Sequence, residues 1–150
     1  VCDEPVSALD VSVQAQILNL LEEMKQRYGL TLVFIAHDLA VVKNISDRVA
    51  VMYLGRLCEV GDPDVLYEQP AHPYTEGLMR SIPRLDTKGE ELFSIKGLPP
   101  NLLAVPPGCP FHPRCSRAVE RCAQEVPAYQ ELGSGRASAC HFAEEMMTRG

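Results

Sequence analysis

Three residues whose side chains suit phosphate chemistry follow two apolar segments. Asp3 and Glu4 come directly after Val1-Cys2, and His37 follows the apolar run Thr-Leu-Val-Phe-Ile at 31–35. An adjacent acidic pair suits metal-assisted phosphoryl transfer, because one carboxylate can hold Mg²⁺, usually through water, while the next orients or deprotonates the attacking water. Taken alone, the pair could simply end a strand, and a lone histidine after a strand is usually a cap or loop residue.

The elements around these residues predict that they meet. Apolar residues at helical spacing predict a helix over 11–28, with Asp10 as its N-cap and Gly29 at its end. The run 31–35 predicts a strand buried on both faces of a parallel sheet. Strand, helix and strand form a right-handed crossover, so Asp3, Glu4 and His37 are expected at one sheet edge, where ligands bind in open α/β sheets.

The predicted elements continue as α/β to about residue 83. A short helix over 39–45 follows Asp38, and strands over 48–53 and 56–60 are joined by a tight turn at Gly55. Proline after a capping residue predicts helices from Pro63 to about residue 68 and from Pro73 to residue 80.

The later part of the chain has a different character. Seven of the twelve prolines fall between Pro99 and Pro127, and little periodicity remains. Such a segment buries little apolar surface, so a covalent or metal staple is expected. Residues 133–139, Gly-Ser-Gly-Arg-Ala-Ser-Ala, predict a flexible loop.

Composition narrows the class of protein. The 150 residues carry 20 acidic and 14 basic side chains, a formal charge of -6, and no basic stripe of the kind that binds nucleic acid. The sequence contains no run of about 18 apolar residues, so it predicts no membrane-spanning helix. The apolar start at Val1, running directly into charged residues, suggests a cut within a longer protein.

The motifs together resemble a known family. Val-Cys-Asp-Glu-Pro-Val-Ser-Ala-Leu-Asp-Val-Ser-Val-Gln-Ala-Gln-Ile at 1–17 resembles the Walker B strand and D-loop of ABC ATPases, and Phe-Ile-Ala-His-Asp-Leu at 34–39 resembles their switch region. The resemblance implies that Asp3 coordinates Mg²⁺ and Glu4 is the general base. It further implies that Asp10 communicates across an ATPase dimer and that His37 contacts the γ-phosphate of ATP.

Later segments narrow the resemblance to one branch. Residues 47–56 and Ala-His-Pro-Tyr-Thr at 71–75 are similar to the ATPases of oligopeptide and dipeptide permeases. The implied fold is α/β: residues 1–83 as the C-terminal part of a P-loop ABC ATPase domain with a parallel sheet, and 84–150 as a small irregular extension with a four-cysteine motif. No Gly-x-x-x-x-Gly-Lys-Ser/Thr loop or Leu-Ser-Gly-Gly-Gln signature occurs here. The chain alone is therefore expected to be inactive.

The resemblance also implies partners and leaves alternatives. A second ABC ATPase subunit, membrane permease subunits and, indirectly, a peptide-binding protein are expected, at the cytoplasmic face of the plasma membrane; nucleic acid is not. Related ATPases import nickel. The rivals are a metal-binding or iron-sulfur interaction module on an inactive ATPase remnant, and an ABC ATPase outside transport. His72 and Tyr74 are interpreted as packing residues.

Four of the six cysteines lie in the late segment. Cys109, Cys115, Cys122 and Cys140 supply four thiols that suit zinc or an iron-sulfur cluster. Their gaps of five and six residues depart from the usual zinc spacing. Some peptide-permease ATPases with a similar extension carry a [4Fe-4S] cluster, and this resemblance ranks a cluster above zinc and above no metal. His112 and His141 are nearby substitutes as ligands. Cys2 and Cys58 are expected to be small buried residues.

Overall fold

The computed structural model describes residues 1–82 and 93–148, and the chain divides into two compact units, residues 1–47 and 48–150. The described residues form a mixed α/β structure with one two-stranded and one four-stranded sheet. No helix in these described ranges is long and apolar enough to cross a membrane.

The first unit contains the predicted crossover. Its elements in chain order are β1 (Cys2–Asp3), α1 (Val11–Tyr28), β2 (Phe34–Ile35) and α2 (Leu39–Ile45). Strands β1 and β2 are parallel, with Cys2 opposite Phe34 and Asp3 opposite Ile35. Both helices therefore have the predicted bounds, and the parallel pairing is confirmed.

Strand β2 differs from the prediction in length and burial. It has two residues, Phe34 and Ile35, and Ile35 is 48% exposed, so the prediction of a strand over 31–35 buried on both faces is wrong for this structure. Within the described residues β2 pairs only with β1, and a two-stranded sheet cannot enclose both faces of a strand.

Side-chain caps explain where the helices of the first unit begin. The Asp10 carboxylate accepts hydrogen bonds from the backbone N–H groups of Ser12 and Val13, each at 3.0 Å. Gly29 ends α1 in the left-handed conformation, with φ 60°. Asp38 caps α2 in the same way as Asp10 caps α1. These interactions satisfy backbone groups that a helix end leaves without partners.

The second unit is built around an antiparallel sheet in the order β3-β4-β6-β5. Its elements are β3 (Val49–Tyr53), β4 (Arg56–Gly61), α3 (Pro63–Glu68), α4 (Pro73–Arg80), a 3₁₀ helix (His112–Arg114), α5 (Glu120–Gln124), β5 (Gln130–Gly133), β6 (Arg136–Ser138) and α6 (Ala143–Met147). The strands and helices predicted between residues 48 and 80 are confirmed.

The turn between β3 and β4 follows the sequence. Leu54 and Gly55 have φ 47° and 74°, as the two central residues of a tight hairpin turn require. Glycine adopts this conformation at no steric cost, which is why the Gly55 position marks the hairpin.

The prediction of a flexible loop over 133–139 is wrong. Residues 136–138 form β6, all three buried, and β6 pairs with both β4 and β5. The glycine- and serine-rich start of the segment is the hairpin turn instead, with positive φ at Gly133, Ser134 and Gly135. Glycine and serine, which are typical of flexible linkers, here form a tight turn next to a central strand.

A buried ion pair connects three parts of the second unit. Glu59 on β4 is fully buried, and its carboxylate accepts a hydrogen bond from Arg136 Nη2 on β6 at 2.9 Å. The same carboxylate accepts from the backbone N–H groups of Ala71 at 2.8 Å and His72 at 3.0 Å. Arg136 also donates to the Gln69 carbonyl. The pair thus fixes the segment before α4 against the sheet.

The predicted domain boundary at 83 and 84 lies outside the described residues, and the division into 1–83 and 84–150 stays a prediction. Within the second unit, β4 and β6 pair through Glu59 with Ser138 and Val60 with Ala137. This pairing joins strands from the two sides of that boundary.

Candidate functional site

The residues predicted at the sheet edge of the first unit do come together. The backbone N–H of Glu4 donates to the Ile35 carbonyl at 2.9 Å, which places Glu4 directly after the last residue of β1 and beside the end of β2. Glu4 Oε1 lies 3.1 Å from Nδ1 of His37. Both side chains are open to solvent, 48% exposed for Glu4 and 72% for His37. The carboxylate and the imidazole therefore form an accessible pair at the carboxyl end of parallel strands.

The hydrogen bond between this carboxylate and imidazole determines which atom carries the shared proton. An ionised carboxylate only accepts hydrogen bonds, so the contact requires a proton on His37 Nδ1. The second carboxylate oxygen, Oε2, is then the one available to accept a proton from another molecule. A carboxylate placed in this way can act as a general base.

Glu4 also has an unusual backbone. Its φ is 45°, in the left-handed region that residues other than glycine seldom adopt. Such conformations cost free energy and cluster at functional sites. The sequence gives no signal of it.

Asp3 and Asp10 flank this pair along the chain. Asp3 is the last residue of β1, with an exposed side chain. Asp10 caps α1, so its predicted structural role is confirmed. A turn over 6–9 leads from Glu4 to Asp10, and the Ser7 N–H and Oγ both donate to the Glu4 carbonyl, at 3.3 and 3.1 Å.

One residue beside this turn was not singled out from sequence. Gln14 on α1 donates from its side-chain amide to the carbonyls of Val6 and Leu9, at 3.0 and 3.1 Å. A glutamine one turn into an amphipathic helix resembles any other solvent-facing residue, so periodicity alone could not identify it.

The four late cysteines of the second unit line one small cavity of about 10 Å³. Its other walls are mainly ring-bearing residues, His72, Pro73, Phe111, His112, Pro127, His141 and Phe142. The Cys109 N–H donates to the Cys122 carbonyl at 2.8 Å, and the Phe142 N–H donates to the Cys140 sulfur at 3.4 Å. Residues separated by up to 31 positions in sequence thus line one cavity.

Burial raises the pKa of three of these thiols. Desolvation raises the pKa of Cys109 and Cys115 above the ordinary value, and raises the pKa of Cys140 to about 12. All six cysteines are free thiols. At neutral pH the thiols in question are therefore protonated, and binding a metal there would release protons.

The arrangement matches a metal site in chemistry and not in spacing. Four thiols in an apolar pocket are a suitable donor set for zinc or iron. Among residues 1–82 and 93–148, however, no three His, Cys, Asp or Glu side chains are grouped closely enough to hold a metal ion. The cavity is also about the size of one water molecule. The cysteine side chains would have to rearrange to hold a metal.

His72 and Tyr74 contribute to packing, as interpreted from the sequence. His72 is 2% exposed, and its Nδ1 accepts a hydrogen bond from the Tyr74 N–H at 3.0 Å, which caps α4. Burial lowers the pKa of His72 to about 4, so the ring is neutral at pH 7. Tyr74 packs against Tyr53 and Phe111, with ring centroids 4.7 and 5.3 Å apart.

The two histidines and two cysteines that remain from the sequence analysis are His112, His141, Cys58 and Cys2. His112 Nδ1 lies 2.9 Å from the Cys109 carbonyl oxygen, and His141 Nε2 lies 3.2 Å from the Glu125 carbonyl oxygen. Cys58 is 6% exposed, as predicted, whereas Cys2 is only half-buried. A second, larger cavity of about 330 Å³ beside Cys58 is lined mainly by apolar residues, which include the aromatic side chains of Tyr53, Phe111 and Tyr129.

Comparison with known proteins agrees with these motifs. Residues 58–122 match the family described as "Oligopeptide/dipeptide transporter, C-terminal region". The chain is 49% identical over 140 residues to the oligopeptide transport ATP-binding protein OppD of Escherichia coli, covering 93% of this chain and 41% of that protein. The match to the di/tripeptide transport ATP-binding protein DppF of Pseudomonas aeruginosa is 49% over 150 residues, 98% of this chain and 46% of the relative.

A third relative is the oligopeptide transport ATP-binding protein AppF of Bacillus subtilis, 46% identical over 145 residues, with 95% of this chain and 44% of the relative covered. The chain thus spans less than half the length of these curated relatives. Over nearly its whole length, the chain is similar to part of the ATP-binding proteins of oligopeptide and dipeptide transport, and its residues 58–122 resemble their C-terminal region.

Proposed function

We propose that this chain is the C-terminal part of a P-loop ABC ATPase that hydrolyses ATP to drive import of oligopeptides or dipeptides. The observation that carries the proposal is the contact of 3.1 Å between Glu4 and His37 at the carboxyl end of the parallel strands β1 and β2. Ligands bind at this edge in open α/β sheets. The names of the relatives, which are ATP-binding proteins of peptide transport, support the cargo class.

The roles in hydrolysis are those that the resemblance to ABC ATPases implies for these residues. Water attacks the γ-phosphorus of ATP, the bond to the β–γ bridging oxygen breaks, and ADP leaves. Glu4 takes the proton of the attacking water through Oε2, while its Oε1 remains hydrogen-bonded to His37. Asp3 would hold Mg²⁺, usually through water, and the metal would supply positive charge that offsets the negative charge of the phosphates. His37 contacts the γ-phosphate, and Asp10 communicates with the second ATPase subunit.

The test is ATP hydrolysis by the complete ATP-binding subunit in its transporter complex. Glu4→Gln keeps the size of the side chain and removes the base, so turnover is expected to fall by about 10²-fold or more with ATP binding retained. Glu23→Gln, on the exposed face of α1, is the matched control and should turn over ATP as the wild type does. Unchanged turnover in Glu4→Gln would refute the assignment of the base.

Partners and location follow from this role. A second ABC ATPase subunit, membrane permease subunits and, through them, a peptide-binding protein complete the importer, with the ATPase on the cytoplasmic face of the inner membrane. Co-purification of the complete subunit with permease subunits tests this assembly. A subunit that hydrolyses ATP without associating with membrane proteins would favour an ABC ATPase outside transport.

We also propose that residues 84–150 form an extension in which Cys109, Cys115, Cys122 and Cys140 hold a [4Fe-4S] cluster, with zinc as the alternative metal. The convergence of the four cysteines on one cavity supports this proposal. The metal would act as a staple that joins distant parts of the chain. Anaerobic reconstitution followed by iron, sulfide and zinc analysis tests it, with Cys2→Ser as the control. A colourless protein without iron or zinc would refute it.

A further inference from the structure

Gln14 makes two hydrogen bonds from a single amide group to the turn that precedes α1. Its Nε2 lies 3.0 Å from the Val6 carbonyl oxygen and 3.1 Å from the Leu9 carbonyl oxygen. Both partners are carbonyls, which only accept hydrogen bonds, so the amide nitrogen has to face them. The side chain thus clamps the two ends of the turn over 6–9.

The same turn is linked to the proposed catalytic residues. The Leu9 N–H donates to the Val6 carbonyl at 3.2 Å, and the Ser7 N–H donates to the Glu4 carbonyl at 3.3 Å. Val6 is 3% exposed, which makes the start of the turn the buried part of an otherwise open segment. Asp10 fixes the other end only through the cap of α1. Gln14 therefore links the helix to both ends of the turn over 6–9.

We propose that Gln14 is a positioning residue that holds the turn over 6–9 in the shape that presents Glu4 on one side and Asp10 on the other. The inference rests on the proposed function, in which Glu4 acts on water and Asp10 communicates with the second subunit. Without the two donors, the carbonyls of Val6 and Leu9 lose their side-chain partner and the turn is free to change shape. Coupling between the two ATP sites would then weaken while ATP binding, which needs other residues, persists.

Three substitutions separate hydrogen bonding from packing. Gln14→Glu has the same shape but presents an oxygen to both carbonyls, and Gln14→Met has similar length and no polar group. Gln14→Arg is larger but keeps N–H donors. Gln16→Glu, two residues along on α1 with an exposed side chain, controls for the added charge. A role in hydrogen bonding predicts that Arg is closer to wild type than Glu or Met, whereas a role in packing predicts the reverse.

The first readout is hydrogen exchange of residues 7–9 in the complete subunit within its complex. Loss of two hydrogen bonds of ordinary strength corresponds to roughly 5- to 30-fold faster exchange of the Leu9 amide, whose bond to Val6 closes the turn. Gln14→Glu and Gln14→Met should show this increase, and Gln14→Arg and Gln16→Glu should not. Exchange at the wild-type rate in Gln14→Glu would overturn the proposal.

The second readout is the dependence of ATP turnover on ATP concentration. Gln14→Glu should lower kcat and the Hill coefficient while leaving the ATP affinity near that of the wild type, and Gln14→Arg should restore much of both. Equal losses in all three variants would overturn the positioning role. Failure of the proposed function appears separately, as unchanged turnover in Glu4→Gln.

Discussion

Removing Arg136 tests whether the buried ion pair holds the second unit together. Arg136 is 7% exposed and Glu59 is fully buried, so the two charges meet away from water. The substitution Arg136→Met keeps much of the side-chain volume and leaves the Glu59 carboxylate charged and buried without its cation. Leaving one member of a buried ion pair unpaired costs about 3–5 kcal/mol of unfolding free energy.

The contacts place the expected loss at the lower end of that range. Two backbone N–H groups, those of Ala71 and His72, continue to donate to the Glu59 carboxylate after Arg136 is removed. A loss of about 3 kcal/mol corresponds to roughly 100-fold faster opening of the region. The matched control is Arg121→Met, because Arg121 pairs with Glu125 at 2.7 Å with both side chains more than half exposed. Solvent screens an exposed pair of this kind, so it contributes little to stability.

Hydrogen exchange of the chain measures this effect at the sheet itself. The amide of Ala139 donates to the Cys58 carbonyl at 2.8 Å and reports on the junction of β4 with the segment after β6. Its exchange should accelerate about 100-fold in Arg136→Met and by less than about 3-fold in Arg121→Met. Removing the unpaired charge as well, in Glu59→Gln with Arg136→Met, should recover part of the loss. Similar exchange in the two single variants would refute the reasoning.

Two further predictions concern the second unit. Burial lowers the pKa of His72 from 6.5 to about 4, so between these pH values the unfolded chain binds a proton that the folded chain does not, and stability should fall as the pH falls, by about 2 kcal/mol at pH 5. Denaturant unfolding at pH 7.5 and 5 should show this loss in the wild type and not in His72→Asn, which keeps a capping oxygen; equal pH dependence would contradict it. A Cβ at Gly108, where φ is 68°, would lie 2.7 Å from the Ala123 carbonyl carbon, whereas one at Gly133, where φ is 89°, meets nothing within 4 Å. Gly108→Ala should therefore cost about 1–3 kcal/mol more than Gly133→Ala in thermal or denaturant unfolding, and equal costs would contradict this packing.

Local signals in the sequence were sufficient to predict most of the helices and strands before residue 83. The bounds of α1 and α2 follow from capping aspartates and helical spacing, and those of α3 and α4 follow from proline at the first helical position. Capping and turn interactions act between neighbours in sequence, so the residues at each helix end determine where that helix begins.

Pairing between strands and side chains that are distant in sequence was harder to predict from the sequence. The segment 133–139 has the composition of a linker, yet residues 136–138 form a buried strand because β4 and β5 supply partners on both sides. The partner of Glu59 lies 77 residues away, and no local pattern connects an arginine in a glycine-rich segment with a glutamate in a strand. Burial and partners of this kind depend on which strands become neighbours.

At the candidate sites, the sequence determines which residue types are present, and the fold determines which of them contact one another. The sequence by itself determined the acidic pair, the histidine, the four cysteines and the family they indicate, because motifs and spacing are properties of the chain. Only the tertiary structure decided that Glu4 contacts His37, that Gln14 clamps the turn beside them, and that four cysteines face one cavity. The physical reason is distance: hydrogen bonds and side-chain contacts act over about 3–4 Å in space. Their partners are 5 to 33 positions apart along the chain, and only folding of the elements against one another brings them that close.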